Sequence, residues 1–452
     1  MKKTRLCSLF LLVTMLFTTL ALPAAALEPI DLQCRNAILV DGNHGDILYE
    51  KAAHEKAYPA SITKVMTALL VVEALDEGKL TPDQLITADE TSQQGMVSDA
   101  STAGIKPGHT LSVTDLLYCL LLPSANEASN ILAVAVDGSI KDFVEHMNRR
   151  AGELGCEGTH FMNPHGLHDN DHYTTAYDLT LMMREAMKHD LFRTIIKTPK
   201  YEIPGNDNHP KFEFFNTNGL ISNLYYGGYV YDKSVGGKTG STEEAGRCLM
   251  SVAESGDEQY IAVILGSGPI RVPGKAELQQ GQFTESTKLL EYGFQNFQRV
   301  TITKGSEPVD KVAVTLSREA DEVMVKPQGS VTRTLPVDLD VESIDAEIAL
   351  FSDTVEAPVK EGQVLGTMKL VKDGVNYGTL DLVAVNDVER SEFLYKKAQI
   401  TEFFQTSGMQ VLLVVILILV VGGAFYFLVI RKKRRYHSPS RRSRGNYRGG
   451  RR

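Results

Sequence analysis

From Val411 to Ile430 the chain runs for 20 residues without a single charge. As a helix rising 1.5 Å per residue, that stretch covers about 30 Å, the thickness of a bilayer core. Arg431, Lys432, Lys433, Arg434 and Arg435 follow at once. Basic residues stay on the cytoplasmic side, so the pattern predicts a single pass with the basic tail 431–452 inside and the bulk of the chain outside. A core helix of a soluble domain would not need this length or these flanks.

The other end agrees. Lys2, Lys3 and Arg5 precede the apolar run Leu9–Leu20, and Ala24-Ala25-Ala26 offers small residues for cleavage. Residues 1–26 therefore read as a secretory signal peptide. Subtracting the +3 of this leader and the +11 of the tail from the net −9 leaves −23 on residues 27–410. An ectodomain this acidic is no partner for nucleic acid. The Arg-, Ser- and Gly-rich tail is expected to be disordered and drawn to the anionic inner leaflet. Four cysteines remain in the mature chain, Cys34, Cys119, Cys156 and Cys248. Scattered over more than 200 residues, they suit buried free thiols better than a disulfide framework.

Hydrophobic periodicity predicts an α+β domain over 27–298. Asn36–Asp41 and Asp46–Glu50 flank a Gly-Asn-His-Gly turn and read as a hairpin. Pro59-Ala60 opens a helix to about Leu75 whose apolar residues surround its axis, as in a buried helix. Ser112 with Asp115 resembles a capping box, and a third apolar helix starts near Glu127. A polar, helical middle follows. Strands return at Gly246–Glu254 and Tyr260–Gly266, and the helix Thr284–Gln298 ends the region. Helices between an early hairpin and late strands imply one sheet built from distant parts of the chain. From 299 to 393 short alternating segments and the hairpin turn Lys372-Asp373-Gly374 predict a small all-β domain, read as a spacer. Residues 394–410 form a juxtamembrane stalk, and 411–430 the transmembrane helix.

Three short motifs carry the chemistry. Ser61 and Lys64 lie one helical turn apart at a helix start, so an amine can reach a hydroxyl on the same face. The helix N-terminus favours developing negative charge there. For Lys64 to act as a base, burial and a second cation must push its pKa far below the ordinary ~10.4. Ser124-Ala125-Asn126 falls where Pro123 interrupts two apolar helices; taken alone, Ser and Asn there read as a helix cap. In a site, Ser124 would relay a proton and Asn126 would hold substrate backbone. Lys238-Thr239-Gly240 follows Gly236-Gly237 and precedes strands. Lys238 and Thr239 together suit a carboxylate, and Gly240 permits close approach of a ligand.

Each motif alone is weak; the ordered set is not. With these residues, the chain resembles the penicillin-binding proteins and serine β-lactamases. Asp is more usual between the Ser and Asn of the second motif. More closely it resembles the low-molecular-mass serine-type D-alanyl-D-alanine carboxypeptidases, through His165-Gly166-Leu167, Thr175-Ala176-Tyr177-Asp178-Leu179 and the helix Glu285–Gly293, and on through the β-rich domain to about residue 400. The resemblance implies a penicillin-binding-protein/β-lactamase-like transpeptidase fold, with an antiparallel sheet and helices. It implies Ser61 as nucleophile, Lys64 as its base and Ser124 as a proton relay. Asn126, Lys238, Thr239, Gly240 and Ser241 would bind a peptidoglycan stem peptide, with Arg271 adding to carboxylate binding. Backbone N–H groups of Ser61 and Ser241 would form an oxyanion hole. β-Lactams would acylate Ser61, no cofactor is called for, and the location would be a bacterial cell membrane. Such relatives often end in an amphipathic helix on the membrane; this chain has a spanning segment instead.

A β-lactamase is one rival, but the only Glu-x-x-x-Asn between the second and third motifs, Glu202 to Asn206, sits in a Pro-Gly turn. A D,D-endopeptidase of the same family is another. A zinc enzyme is a third: His165, His168 and His172 cluster with Asp169 and Asp171, yet in a polar loop without a His-Glu-x-x-His helix. The reading therefore assigns no metal.

Overall fold

The computed structural model describes residues 30–303 and 305–430; the leader 1–26 and the basic tail 431–452 lie outside the described residues. The chain divides into two compact units, one of residues up to 302 with 332–341, the other of 303–331 with residues from 342 onward.

The first unit is built on a five-stranded antiparallel sheet. In chain order its strands are β1 (Asn36–Asp41), β2 (Ile47–Lys51), β3 (Ser234–Thr242), β4 (Gly246–Ser255) and β5 (Glu258–Ser267). Their spatial order is β2-β1-β5-β4-β3, so the early hairpin and the late strands share one sheet. Strand alternation explains why both faces are covered. Ile38, Val40, Ile261 and Val263 enter one core, while Ala37, Leu39, Ala262 and Ile264 enter another with Leu289 and Leu290.

The larger core surrounds helix α1 (Lys64–Asp76), whose Val65, Met66, Leu69 and Leu70 are fully or almost fully buried. Each such side chain contributes about 1.5–3 kcal/mol of burial free energy. Around it lie α2 (Val113–Leu121), α3 (Asn126–Asp137), α4 (Ile140–Glu153), α5 (Ala176–Ala186) and α6 (Asp190–Lys197). Helix α7 (Gly281–Asn296) covers the other sheet face. Ser112 caps α2 by accepting from the Asp115 N–H at 3.0 Å, while its hydroxyl donates to the Asp115 carboxylate. The middle is not purely helical. Leu85–Thr87 pairs with Thr110–Ser112, and Lys200–Ile203 pairs with Phe212–Phe215, as two short ribbons. At three or four residues each, these segments are too short for alternation to announce strands. The four cysteines among the described residues, Cys34, Cys119, Cys156 and Cys248, are free and buried.

Residues 332–341 return to the first unit. Thr334 donates its hydroxyl to the buried Asp41 carboxylate at 2.9 Å, and the Val337 N–H donates to the Asn296 carbonyl at 2.9 Å. The second unit holds a six-stranded sheet from Asp310–Thr315, Glu322–Pro327, Asp345–Leu350, Thr354–Glu356, Val364–Lys372 and Val375–Ala384. Helix Glu392–Gln405 follows, then an apolar helix from Ser407 that is long enough to cross a membrane through Leu428.

Candidate active site

Ser61 sits not on α1 but on the single 3-10 turn Ala60–Thr63 that leads into it. Ala60 takes φ +47°, unusual for a residue with a Cβ. Its carbonyl accepts from the Thr63 hydroxyl at 2.8 Å. Behind Thr63, His172 Nδ1 accepts the Met162 N–H at 3.1 Å, so Nε2 carries the proton and donates to Thr63 Oγ1 at 2.8 Å. Gly166, at φ +86°, passes so close that a Cβ there would lie 1.9 Å from the Ala60 carbonyl oxygen. The segment 160–172 thus braces the strained turn. Burial pulls His172 down to about 4 and His165 to about 3. The three histidines face different partners: His168 packs against the Tyr58 ring, and His165 Nδ1 accepts the Leu167 N–H.

One turn on, Lys64 is wholly buried. Its Nζ lies 3.0 Å from Ser61 Oγ, 2.7 Å from Asn126 Oδ1 and 2.8 Å from the His165 carbonyl. Burial, then the nearby Lys238 charge, hold its pKa well below the ordinary lysine value, with Glu127 opposing. A neutral amine gives its two N–H groups to the two carbonyl oxygens, which only accept. Its lone pair is then left for the Ser61 hydroxyl proton.

Ser124 has φ +69°, which turns its side chain between α2 and α3. Its Oγ accepts from Lys238 Nζ at 2.9 Å, and Lys238 also reaches the Thr239 carbonyl at 2.9 Å. Burial lowers Lys238 to about 7. Gly240 brings β3 against the nucleophile turn: a Cβ there would lie 2.8 Å from the Pro59 oxygen and 3.1 Å from the N atoms of Ser61 and Ile62. Glycine is required for that approach.

Between these elements opens a cleft of about 200 Å³ lined by Ser61, Ser101, Ser124, Thr217, Tyr225, Tyr226, Thr239, Gly240, Ser241, Arg247, Cys248 and Gln282. Ser61, Lys64, Ser124, Asn126, Lys238, Thr239, Gly240 and Ser241 are brought together as one site. Arg271 is not: it is exposed on its own loop and donates to the Ala276 carbonyl at 3.0 Å. The guanidinium in the cleft belongs to Arg247, which stands opposite Ser241 in the β3–β4 register and donates to the Gln280 side chain. Sequence reasoning missed it because its position depends on the Thr242–Gly246 turn. It also missed Thr217, whose hydroxyl pairs with Thr239 at 2.7 Å, and the tyrosines of the 225–226 wall. Their signal was the run Tyr225-Tyr226-Gly-Gly-Tyr229 just upstream of the third motif. Glu202 ion-pairs with Lys200 and Lys211 on the exposed ribbon, outside the cleft.

A hydroxyl facing a buried amine, with a second amine and a glycine strand edge opposite, defines the class of histidine-free serine acyl-transfer enzymes. A family model described as D-alanyl-D-alanine carboxypeptidase matches residues 23–268, and one described as the C-terminal domain of penicillin-binding protein 5 matches 297–390. The chain belongs to the D-alanyl-D-alanine carboxypeptidase family. It is 31% identical over 369 residues to the carboxypeptidase DacF of Bacillus subtilis, covering 80% of this chain and 87% of that protein. DacA of Escherichia coli K12 is 28% identical over 81% of this chain and 86% of its own length. Penicillin-binding protein 5 of Haemophilus influenzae superposes with a TM-score of 0.66 at 26% identity, over 81% of this chain and all of that structure.

Proposed function

We propose that the chain removes the terminal D-Ala from peptidoglycan stem pentapeptides through an acyl-enzyme on Ser61. Ser61 Oγ attacks the carbonyl of the penultimate D-Ala while Lys64 takes its proton. The Ser61 and Ser241 N–H groups hold the oxyanion; one such donor is typically worth about 10²–10³ in rate. The C–N bond then breaks. Ser124 relays the proton that Lys64 took on to the departing amine, which leaves both residues as they began, and Lys238, Thr239 and Arg247 grip the carboxylate of the D-Ala that leaves. Water, deprotonated by Lys64, attacks the ester and returns Ser61. A β-lactam acylates Ser61 by the same first step and, having no separate leaving residue, stays attached. The observation that carries this reading is the Lys64 amine held between Ser61 Oγ and two acceptor carbonyls.

The ectodomain would act outside a bacterial membrane, tethered by the apolar helix from Ser407 with residues 431–452 inside. A second reading, D,D-endopeptidase, draws on a neighbouring cavity of about 470 Å³ that shares Ser101, Thr217 and Tyr225 with the cleft. Thr217 touches Thr239, so the cavity adjoins the carboxylate-gripping side and has room for a leaving group larger than D-Ala.

Labelled penicillin tests the proposal. Covalent labelling of wild type and none of Ser61→Ala is expected; equal labelling of both rejects Ser61 as nucleophile. Mass measurement on a stem pentapeptide and on a cross-linked dimer then separates the two peptidase activities.

A further inference from the structure

Glu127 follows the second motif directly and is completely buried. Its Oε1 collects four donors: the Thr102 hydroxyl at 2.7 Å and the N–H groups of Ala103, Gly104 and Ile105 at 2.7, 3.0 and 3.2 Å. Its Oε2 is buried with no hydrogen-bond partner among the described residues. Four donors converging on one oxygen make this side chain the anchor of the loop. The loop it holds runs on from Ser101, which lines the cleft and whose carbonyl accepts the Asn126 N–H at 2.9 Å.

The backbone position before Glu127 belongs to Asn126, which accepts from Lys64. We propose that Glu127 is a positioning residue for acyl transfer: its Oε1 fixes the 102–105 loop and thereby Ser101, which lines the cleft and holds the Asn126 N–H on its carbonyl. This rests on the acyl-enzyme reading above.

The test separates the acceptor from its reach. Glu127→Gln keeps an acceptor for the loop; Glu127→Asp shortens the side chain so that it no longer meets the four donors. KM and kcat are measured with a stem pentapeptide, and thermal melting checks the fold. For Glu127→Asp KM should rise by about three- to tenfold with kcat unchanged, and Glu127→Gln should stay nearer wild type. A wild-type KM in Glu127→Asp overturns the proposal. Should neither variant fold, Thr102→Val on the exposed loop decides. A KM several-fold higher with kcat unchanged supports the proposal, and an unchanged KM overturns it. A wild type that penicillin does not label at Ser61 would instead sink the acyl-enzyme reading itself.

Discussion

Gly240→Ala is the substitution whose cost the geometry sets most directly. The added methyl would sit 2.8 Å from the Pro59 carbonyl oxygen and 3.1 Å from the amide nitrogens of Ser61 and Ile62, where about 3.4 Å begins ordinary contact. All three neighbours are backbone, so no side chain can swing aside. The strand edge and the nucleophile turn must separate by about half an ångström, and a misplacement near 1 Å costs on the order of 10²-fold in rate. The Ser61 N–H is itself among the atoms pushed, and loss of an oxyanion donor costs about 10²–10³. The two effects act on the same distance, so they overlap rather than multiply. The expected loss is on the order of 10²-fold in acylation, or about 2.7 kcal/mol of transition-state stabilisation. The assay is the time course of labelling by a fluorescent penicillin, with thermal melting as the control for folding. Acylation within threefold of wild type, in a protein that melts normally, would refute the tight apposition of β3 and the Ser61 turn as a requirement for reaction.

Arg247→Gln should raise KM for a D-Ala-D-Ala peptide by about 10–100-fold, the worth of a charge-assisted hydrogen bond, while Arg271→Gln stays within twofold; equal effects would reject the assignment of the cleft guanidinium to Arg247. Acid should destabilise the fold through His172. Its folded pKa of about 4 lies below the ordinary 6.5, so the unfolded chain takes up the proton first. Stability is fully present above 6.5 and is lost as pH falls from 6.5 towards 4, by about 3 kcal/mol at most. Melting temperature followed over that window should slope less steeply in His172→Gln; an unchanged slope would show that His172 does not titrate as its burial implies.

What the sequence made legible follows from spacing. Ser61 and Lys64 are three residues apart, and any helical turn brings them together, strained or not. The hairpin at 36–51 and the strands after 246 are short apolar runs bounded by turn residues, so their presence could be read, and antiparallel pairing then had to join them in one sheet. Ser124 was readable only in company, because alone it looks like a cap. What failed depended on register. Arg247 and Arg271 are both basic residues near the third motif, and only the pairing of Ser241 with Arg247 says which one faces the substrate side. Glu127 carried no motif at all; its importance arises from loop amides that fold back over it. The ribbon at 200–215 was hidden because strands of four residues, Lys200–Ile203 and Phe212–Phe215, are too short to set a period apart from the helices around them.

The return of residues 332–341 bears on how freely this enzyme can be cut into parts. A chain ended at residue 298 would keep every reacting group, yet it would lose the Thr334 hydroxyl and leave Asp41, 1% exposed, with one fewer donor. Evolutionary shuffling of the catalytic portion onto a different tether would have to carry this downstream strand along or find another hydroxyl for Asp41. The seam between portable pieces is therefore interleaved along the chain, not a single point on it.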